Sequence, residues 1–249
     1  MRPALRHAAT AAACLAVFLL AGCGMHVASN APITFAPADT PYLFANFKGA
    51  PADATKAWSQ AGDAMFPARI QQTGEMAKLI GQKDPMIAKV LDAYQAELAN
   101  VHSTREFAQT IGLSQSGLYA VYGIGDVPVV RIELASSDNF KAFWARVEKR
   151  AGVTTPTATL DKQTYWVVGG PDAKAHFLVA IEGKQLVVTV APANASPDML
   201  KQLLGLTKPS DNPSDRLAAL NEQYGYSDYG SGYVDLAKLF ANLFDGKDA

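Results

Sequence analysis

Segments with strand character come in adjacent pairs in this chain, and that ordering restricts its architecture more than composition does. Leu118-Tyr119-Ala120-Val121-Tyr122 and the stretch from Val127 to Leu134 are separated only by Gly123-Ile124-Gly125-Asp126, so they read as a β-hairpin. In the second arm Val130, Ile132 and Leu134 fall on one face, while Val129, Arg131 and Glu133 fall on the other. Thr164 to Val168, Ala175 to Glu182 and Gln185 to Ala191 form a second group, its last pair joined at Gly183-Lys184. There Phe177, Val179 and Ile181 alternate against Leu186, Val188 and Val190, the pattern of a meander with a buried face. Parallel strands need long crossovers, usually helical, so neighbouring pairs disfavour a doubly wound parallel fold and specify an antiparallel sheet.

Helical signals lie before, between and after these pairs. Asp53 to Ile80 reads as helix, with Pro67 expected to kink or divide it. Asp84-Pro85 supplies a cap and a first-turn proline for a second helix carrying Ile87, Leu91, Tyr94 and Leu98. Ser103 and Glu106 form a capping-box pattern for a third that runs to about Ile111. Ser136 to Asn139 precede a helix with Phe140, Phe143, Trp144 and Val147 that Gly152 stops. Met199 to Leu204 and Leu217 to Tyr224, the latter capped by Ser214, are shorter; Tyr226 to Val234 reads as a last strand and Leu236 to Phe244 as a last helix. Tyr42 to Phe47 is a first, aromatic strand with no fixed partner. The expectation is an α+β fold: an antiparallel sheet of about six to seven strands with helices on one face, preceded by a mainly helical segment at 53–111, all in one domain spanning 41–249.

The N-terminus carries a different kind of signal. Arg2 and Arg6 precede an apolar run from Ala8 to Leu20 that is too short to span a bilayer, and small residues follow at Ala21 and Gly22, as in a secretory leader. The ending Leu20-Ala21-Gly22-Cys23 resembles the lipobox of bacterial lipoproteins. That resemblance implies cleavage after residue 22, acyl chains on Cys23 and an anchor in the membrane. Gly24 stands where the family's inner-membrane retention signal has aspartate, which implies the periplasmic face of the outer membrane of a Gram-negative cell. Residues 23–40, rich in small and polar residues and proline, read as a flexible tether. The phrases Pro37 to Tyr42, Pro128 to Leu134 and Gly232-Tyr233-Val234-Asp235-Leu236 resemble a group of exported bacterial proteins built from repeated strand and helix units. Its members are often longer, so the resemblance implies a shortened form or one lobe, and it brings no activity with it.

Removing the leader takes away two arginines and no acid from 22 basic and 23 acidic residues, which leaves a net charge of −3. Such a mixed surface argues against nucleic acid as a partner. Cys14 leaves with the leader and Cys23 is the anchor, so no disulfide is available and the core must suffice alone. No cofactor or metal is expected. The folded body holds only His102 and His176, without His-x-x-x-His spacing. Gly112-Leu113-Ser114-Gln115-Ser116 is not a nucleophile elbow, and the Ser-Asp-Asn triplets at 137–139 and 210–212 lack an SxxK partner and read as caps. Arg131 and Glu133 read as part of a solvated sheet face.

One stretch invites a binding reading: Tyr224, Tyr226, Tyr229 and Tyr233 alternate with glycine and serine between Tyr224 and Tyr233. Tyrosine offers large contact area at low entropic cost and small residues let the backbone conform, although a glycine-interrupted edge strand gives the same composition. The resulting expectation is a non-catalytic envelope lipoprotein, held to the membrane by its acyl chains and acting as a binding or structural module toward an envelope protein, peptidoglycan or lipid. The alternatives are a carrier of an apolar ligand, which needs an apolar cavity, and an enzyme built on carboxylates that converge from distant positions.

Overall fold

The structure is a computed structural model and describes residues 30–244 except 50, 82, 83 and 116. Its centre is one antiparallel sheet of eight strands: β1 (Tyr42–Ala45), β2 (Tyr119–Ile124), β3 (Val127–Glu133), β4 (Thr157–Leu160), β5 (Gln163–Val168), β6 (Ala175–Glu182), β7 (Gln185–Pro192) and β8 (Ser231–Val234). The spatial order is β4-β5-β6-β7-β3-β2-β1-β8. The expected hairpin forms with Val121 opposite Val130, and the meander joins it through β7, where Val188 faces Val130. Strand β1 is internal, paired with β2 on one side and β8 on the other. Seven helices accompany the sheet among the described residues: α1 (Ala52–Gly81), α2 (Pro85–Glu97), α3 (Thr104–Ile111), α4 (Ser137–Ala151), α5 (Pro197–Leu204), α6 (Ser214–Tyr224) and α7 (Leu236–Phe244). The fold is therefore α+β, as the paired strands require. No described helix is long and apolar enough to cross a membrane.

Local chemistry sets the helix ends. Asp84 caps α2, accepting from Met86 N and Ile87 N, and its second oxygen takes Gly170 N at 2.6 Å, which fastens the β5–β6 loop to the helical layer. Ser103 caps α3, while Glu106 reaches back to His102 N at 2.8 Å. Ser136 caps α4, and Gly152 ends it in the left-handed region at φ 64°. Pro67 does not divide its helix, since α1 runs through it, and Ser214 is the first residue of α6 in place of its cap, with Asn212 Oδ1 accepting its N–H at 3.1 Å.

Both faces of the sheet are covered, which corrects the expectation of helices on one face. Val121, Val130, Ile132, Val168, Val179 and Leu186 pack with Phe140, Phe143, Trp144 and Val147 of α4 and with residues of α1, α2 and α3. The rings of Phe140 and Trp144 lie 6.0 Å from that of Trp166, and Tyr94 of α2 meets Phe143 edge-on at 5.7 Å. On the opposite face Leu43, Ala120, Tyr122, Val129, Leu178, Ala180 and Val187 pack under Leu203 and Leu204 of α5, Leu217 of α6, and Ile33 and Phe35. The last two belong to residues 30–36, which were expected in the tether. Ala31, Ile33, Phe35 and Ala36 are all buried, and Pro32–Phe35 form a 3₁₀ turn over β2 and β3. Alternate apolar side chains, too few to fold alone, gain burial by lying across a sheet face that has no long helix.

Arg131 sits beneath this strap and is fully buried, so the solvated-face reading is overturned. Its guanidinium lies 3.6 Å from the Phe35 ring centroid and donates to Gln185 Oε1 at 2.6 Å, Leu204 O at 2.7 Å and Glu182 Oε2 at 3.3 Å. A buried charge is tolerated only when paired and hydrogen-bonded, and these contacts meet that condition at every group but Nε. Burial pushes the neighbouring Tyr122 phenol up to about 12, outweighing the downward pull of Arg131. Gly205, at φ +75°, leaves room for the guanidinium that a Cβ would occupy.

Candidate functional site

Helix α6 runs antiparallel to β8 and stops at Tyr224 because Gly225 takes a left-handed conformation, φ 66°, that other residues adopt at a cost. Its N–H and that of Tyr226 both donate to Asn221 O. The chain then turns through Ser227 and Asp228, with Ser227 Oγ accepting from Tyr229 N at 3.0 Å. Asp228 O accepts from Phe47 N at 2.9 Å and Lys48 N at 3.1 Å, which pins the loop to the residues that follow β1. Its carboxylate meets Lys48 Nζ at 2.8 Å. That hydrogen bond holds the Asp228 carboxyl below its usual range against the opposing effect of burial, and it raises the Lys48 ammonium.

The strand expected from Tyr226 to Val234 is therefore confined to Ser231–Val234, and the preceding residues form a loop. The four tyrosines divide accordingly. Tyr224 and Tyr226 are 57% and 55% exposed, with rings stacked at 5.6 Å and an interplanar angle of 28°. Stacking of two exposed rings presents one rigid aromatic ledge in place of two independent side chains. Tyr229 is half-buried and lines a groove of about 400 Å³ beside Tyr226, Lys48, Asn221, Glu222, Ser227 and Asp228. Tyr233 stands apart in β8, opposite Leu43, with the Arg216 guanidinium 4.2 Å over its ring and its hydroxyl raised by burial. It belongs with the core, so the structure brings three of the four candidates together and leaves one out.

Asn221 is 5% exposed and lines the groove; its Nδ2 reaches Ser227 O and Asp228 Oδ1 at 3.5 Å, and its Oδ1 has no hydrogen-bond partner. The groove thus combines aromatic surface, an ammonium–carboxylate pair and an amide, a set suited to holding a polar partner. It also brings two carboxylates together, Glu222 and Asp228. Lys48 keeps the second ionised, the opposite of the raised pKa that a general acid needs near neutral pH.

Neither Lys48 nor Asn221 was marked by the sequence, because Lys48 lies far from the tyrosines in the chain and Asn221 sits inside a helix with no motif. Cys23 lies outside the described residues. His176 contacts Gly170 O at 3.2 Å and His102 is exposed; among the described residues no group of three or more His, Cys, Asp and Glu is placed to hold a metal ion. No family model, curated protein or solved structure matches this chain.

Proposed function

We propose that this chain is a non-catalytic, lipid-anchored protein of the cell envelope that acts as a binding module through the tyrosine-rich loop and its groove. The observation that carries the binding reading is the exposed Tyr224–Tyr226 stack at the rim of a polar groove whose backbone is pinned by Phe47 and Lys48. Preformed aromatic surface on a fixed loop binds with little loss of entropy, which is the usual reason tyrosine dominates recognition loops. The anchor rests on Leu20 to Cys23.

Two measurements test the two parts separately. Cys23→Ser should leave the protein unprocessed or soluble; a variant that still fractionates with the outer membrane at unchanged mass removes the anchor from the proposal. A photoreactive side chain at position 226 should form several times more adducts in cells than one at position 172 on the opposite end of the sheet. Equal yields at the two positions would remove the binding surface.

A further inference from the structure

We infer that the end of the sheet carrying Asn30 and the Tyr224–Tyr226 pair faces the bilayer that holds the anchor, with both tyrosine rings seated in the headgroup layer; this rests on the lipid-anchored reading above. The first observation is where the chain enters the domain. Asn30 O accepts from Gln185 Nε2 at 2.6 Å and Asn30 Oδ1 from Lys208 Nζ at 2.9 Å. The next residues are locked in place, since Ile33 and Phe35 are buried and the Phe35 ring has the Arg131 guanidinium and the Lys208 ammonium 3.6 Å and 4.7 Å from its centroid. Free chain can therefore begin no later than Asn30.

Six residues, 24–29, separate Asn30 from Cys23. Seven steps of extended chain reach at most about 24 Å. Gln185 is the first residue of β7 and pairs with Glu182 and Glu133, so Asn30 marks one end of the sheet. The seven steps of β6 span about 23 Å, and Asp126 and Asp172 lie beyond them in the turns of the other end. A fully extended linker is used up along the length of the strands, with nothing left to pass round the domain and let that far end face the membrane.

The tyrosines share the near end. Ala45 of β1 pairs with Ala120, beside Tyr119, which pairs with Ile132, so the end of β1 is in line with Glu133 and Gln185. The tyrosine loop is fastened just beyond, at Phe47 and Lys48, while the start of α6 lies at the far end, with Arg216 4.0 Å from Asp235. Tyrosine's apolar ring and polar hydroxyl suit the membrane–water boundary. Charge at this end is mixed: Lys162 and Lys184 are exposed at hairpin tips and Lys208 beside Asn30, Asp161, Glu182 and Asp228 are ion-paired, and Glu222 and the half-buried Glu133 add acid. Attraction to anionic lipid is therefore minor, and the tether supplies the local concentration that two aromatic rings alone lack.

The test uses the mature chain coupled through Cys23 to a maleimide lipid, so that the result does not depend on whether cells acylate that residue. A fluorophore is attached through an azido side chain at position 223 or 172, and vesicles of phosphatidylethanolamine and phosphatidylglycerol carry a headgroup nitroxide quencher. Quenching at 223 should exceed that at 172 at least fivefold and change less than twofold between 50 and 300 mM salt. A 20-residue Gly-Ser insertion after residue 25 should reduce the ratio severalfold without altering the fold, and Tyr224→Ser with Tyr226→Ser should at least halve quenching at 223. Equal quenching at 223 and 172 overturns the inference, as does a difference that arises only when envelope proteins are added, which would make the occupant a protein. An unchanged signal in the double tyrosine variant overturns the seating of the rings.

Discussion

The two faces of the sheet solve the same burial problem with different materials. On one, Val121, Val130, Ile132 and Leu186 meet a deep layer of helices through large rings at Phe140, Phe143, Trp144 and Trp166. On the other, small residues at Ala120, Ala180 and Ala191 let a thin cover approach, made of the strap at 30–36, two short helices and a buried arginine. The first face is cohesive mainly through area, which is non-directional and tolerant of shifts, with polar ties such as Asp84 to Gly170 and Glu97 to α4 at its margins. The second depends on a few directional contacts that converge on Arg131, so it should fail locally and at specific points.

Arg131→Ala is the sharpest way to break this contrast. Removing one partner of a buried, hydrogen-bonded charge costs about 3–5 kcal/mol, and here it also strips Gln185 Oε1 and Leu204 O of their donor. Phe143→Ala on the helical face should cost a similar amount, about 3–5 kcal/mol, by opening a cavity. Hydrogen exchange separates them: Arg131→Ala should expose the amides of residues 33–36, whereas Phe143→Ala should leave the strap protected while lowering global stability. If both variants lose strap protection to the same degree, the faces are not independent. Gly205→Ala comes next, about 1–3 kcal/mol for a left-handed residue given a Cβ, with that Cβ directed at the guanidinium. Denaturant titration of Gly205→Ala in wild-type and Arg131→Ala backgrounds should show a smaller loss in the second, since the obstructing group is gone.

This division also explains what was legible in the sequence. The helical face was readable because its large residues alternate along β3, β6 and β7 and recur at helical spacing in α4. The strap face was not, because alanines and one arginine in alternation look the same whether they meet solvent or a strap from a hundred residues away. Ile33 and Phe35 were hidden among prolines and small residues that mimic a linker. Strand β4 was missed because its alternate residues are exposed, and its turn to β5 uses Asp161 and Lys162 at φ 47° and 71°, where glycine or asparagine would have marked a hairpin. At the candidate site, tyrosine content was visible, but the division between exposed ledge and core depended on where the last strand begins. Gly225, Gly230 and Gly232 did not reveal that.

Acid should reach the two sides through different carboxylates. Glu97, at the end of α2, accepts from Arg146 and Arg150 of α4 at 2.9 and 2.8 Å, which hold it below its ordinary range. Asp228 is depressed by Lys48. Each therefore contributes stability that is fully present above the unfolded carboxylate pKa of about 4 and is lost as pH falls through the lower folded value. The raised Lys48 behaves oppositely: its contribution is present below about pH 10.4 and is lost as pH rises through the folded value. The melting temperature should be flat from about pH 5 to 9 and fall below about 4. Asp228→Asn should remove acid sensitivity from the amides of Tyr226 and Tyr229 while leaving that of α2 and α4 intact. Loss of both together would mean that the loop and the helical layer unfold as one unit.

The smallest effect on stability is expected where the largest effect on binding is proposed. Tyr226→Ala removes an exposed ring stacked on that of Tyr224, and surface substitutions of this kind stay within about 0.5 kcal/mol, plus up to about 1 kcal/mol for a lost aromatic pair. Tyr233→Ala removes a half-buried ring that packs against the strap-face core under Arg216 and should cost about 2–3 kcal/mol by loss of buried area. Thermal unfolding of the two variants, read beside adduct yield at position 223, sorts the tyrosines by role. Tyr226→Ala should keep its melting temperature within a few degrees and lose adducts, while Tyr233→Ala should melt earlier and, below its transition, keep them. The reverse pattern would place the recognition surface on β8 and return Tyr226 to the structural side of the molecule. A double variant at 224 and 226 that costs less than the sum of its singles would measure the stack directly, because the second ring has nothing left to lose once its neighbour is gone.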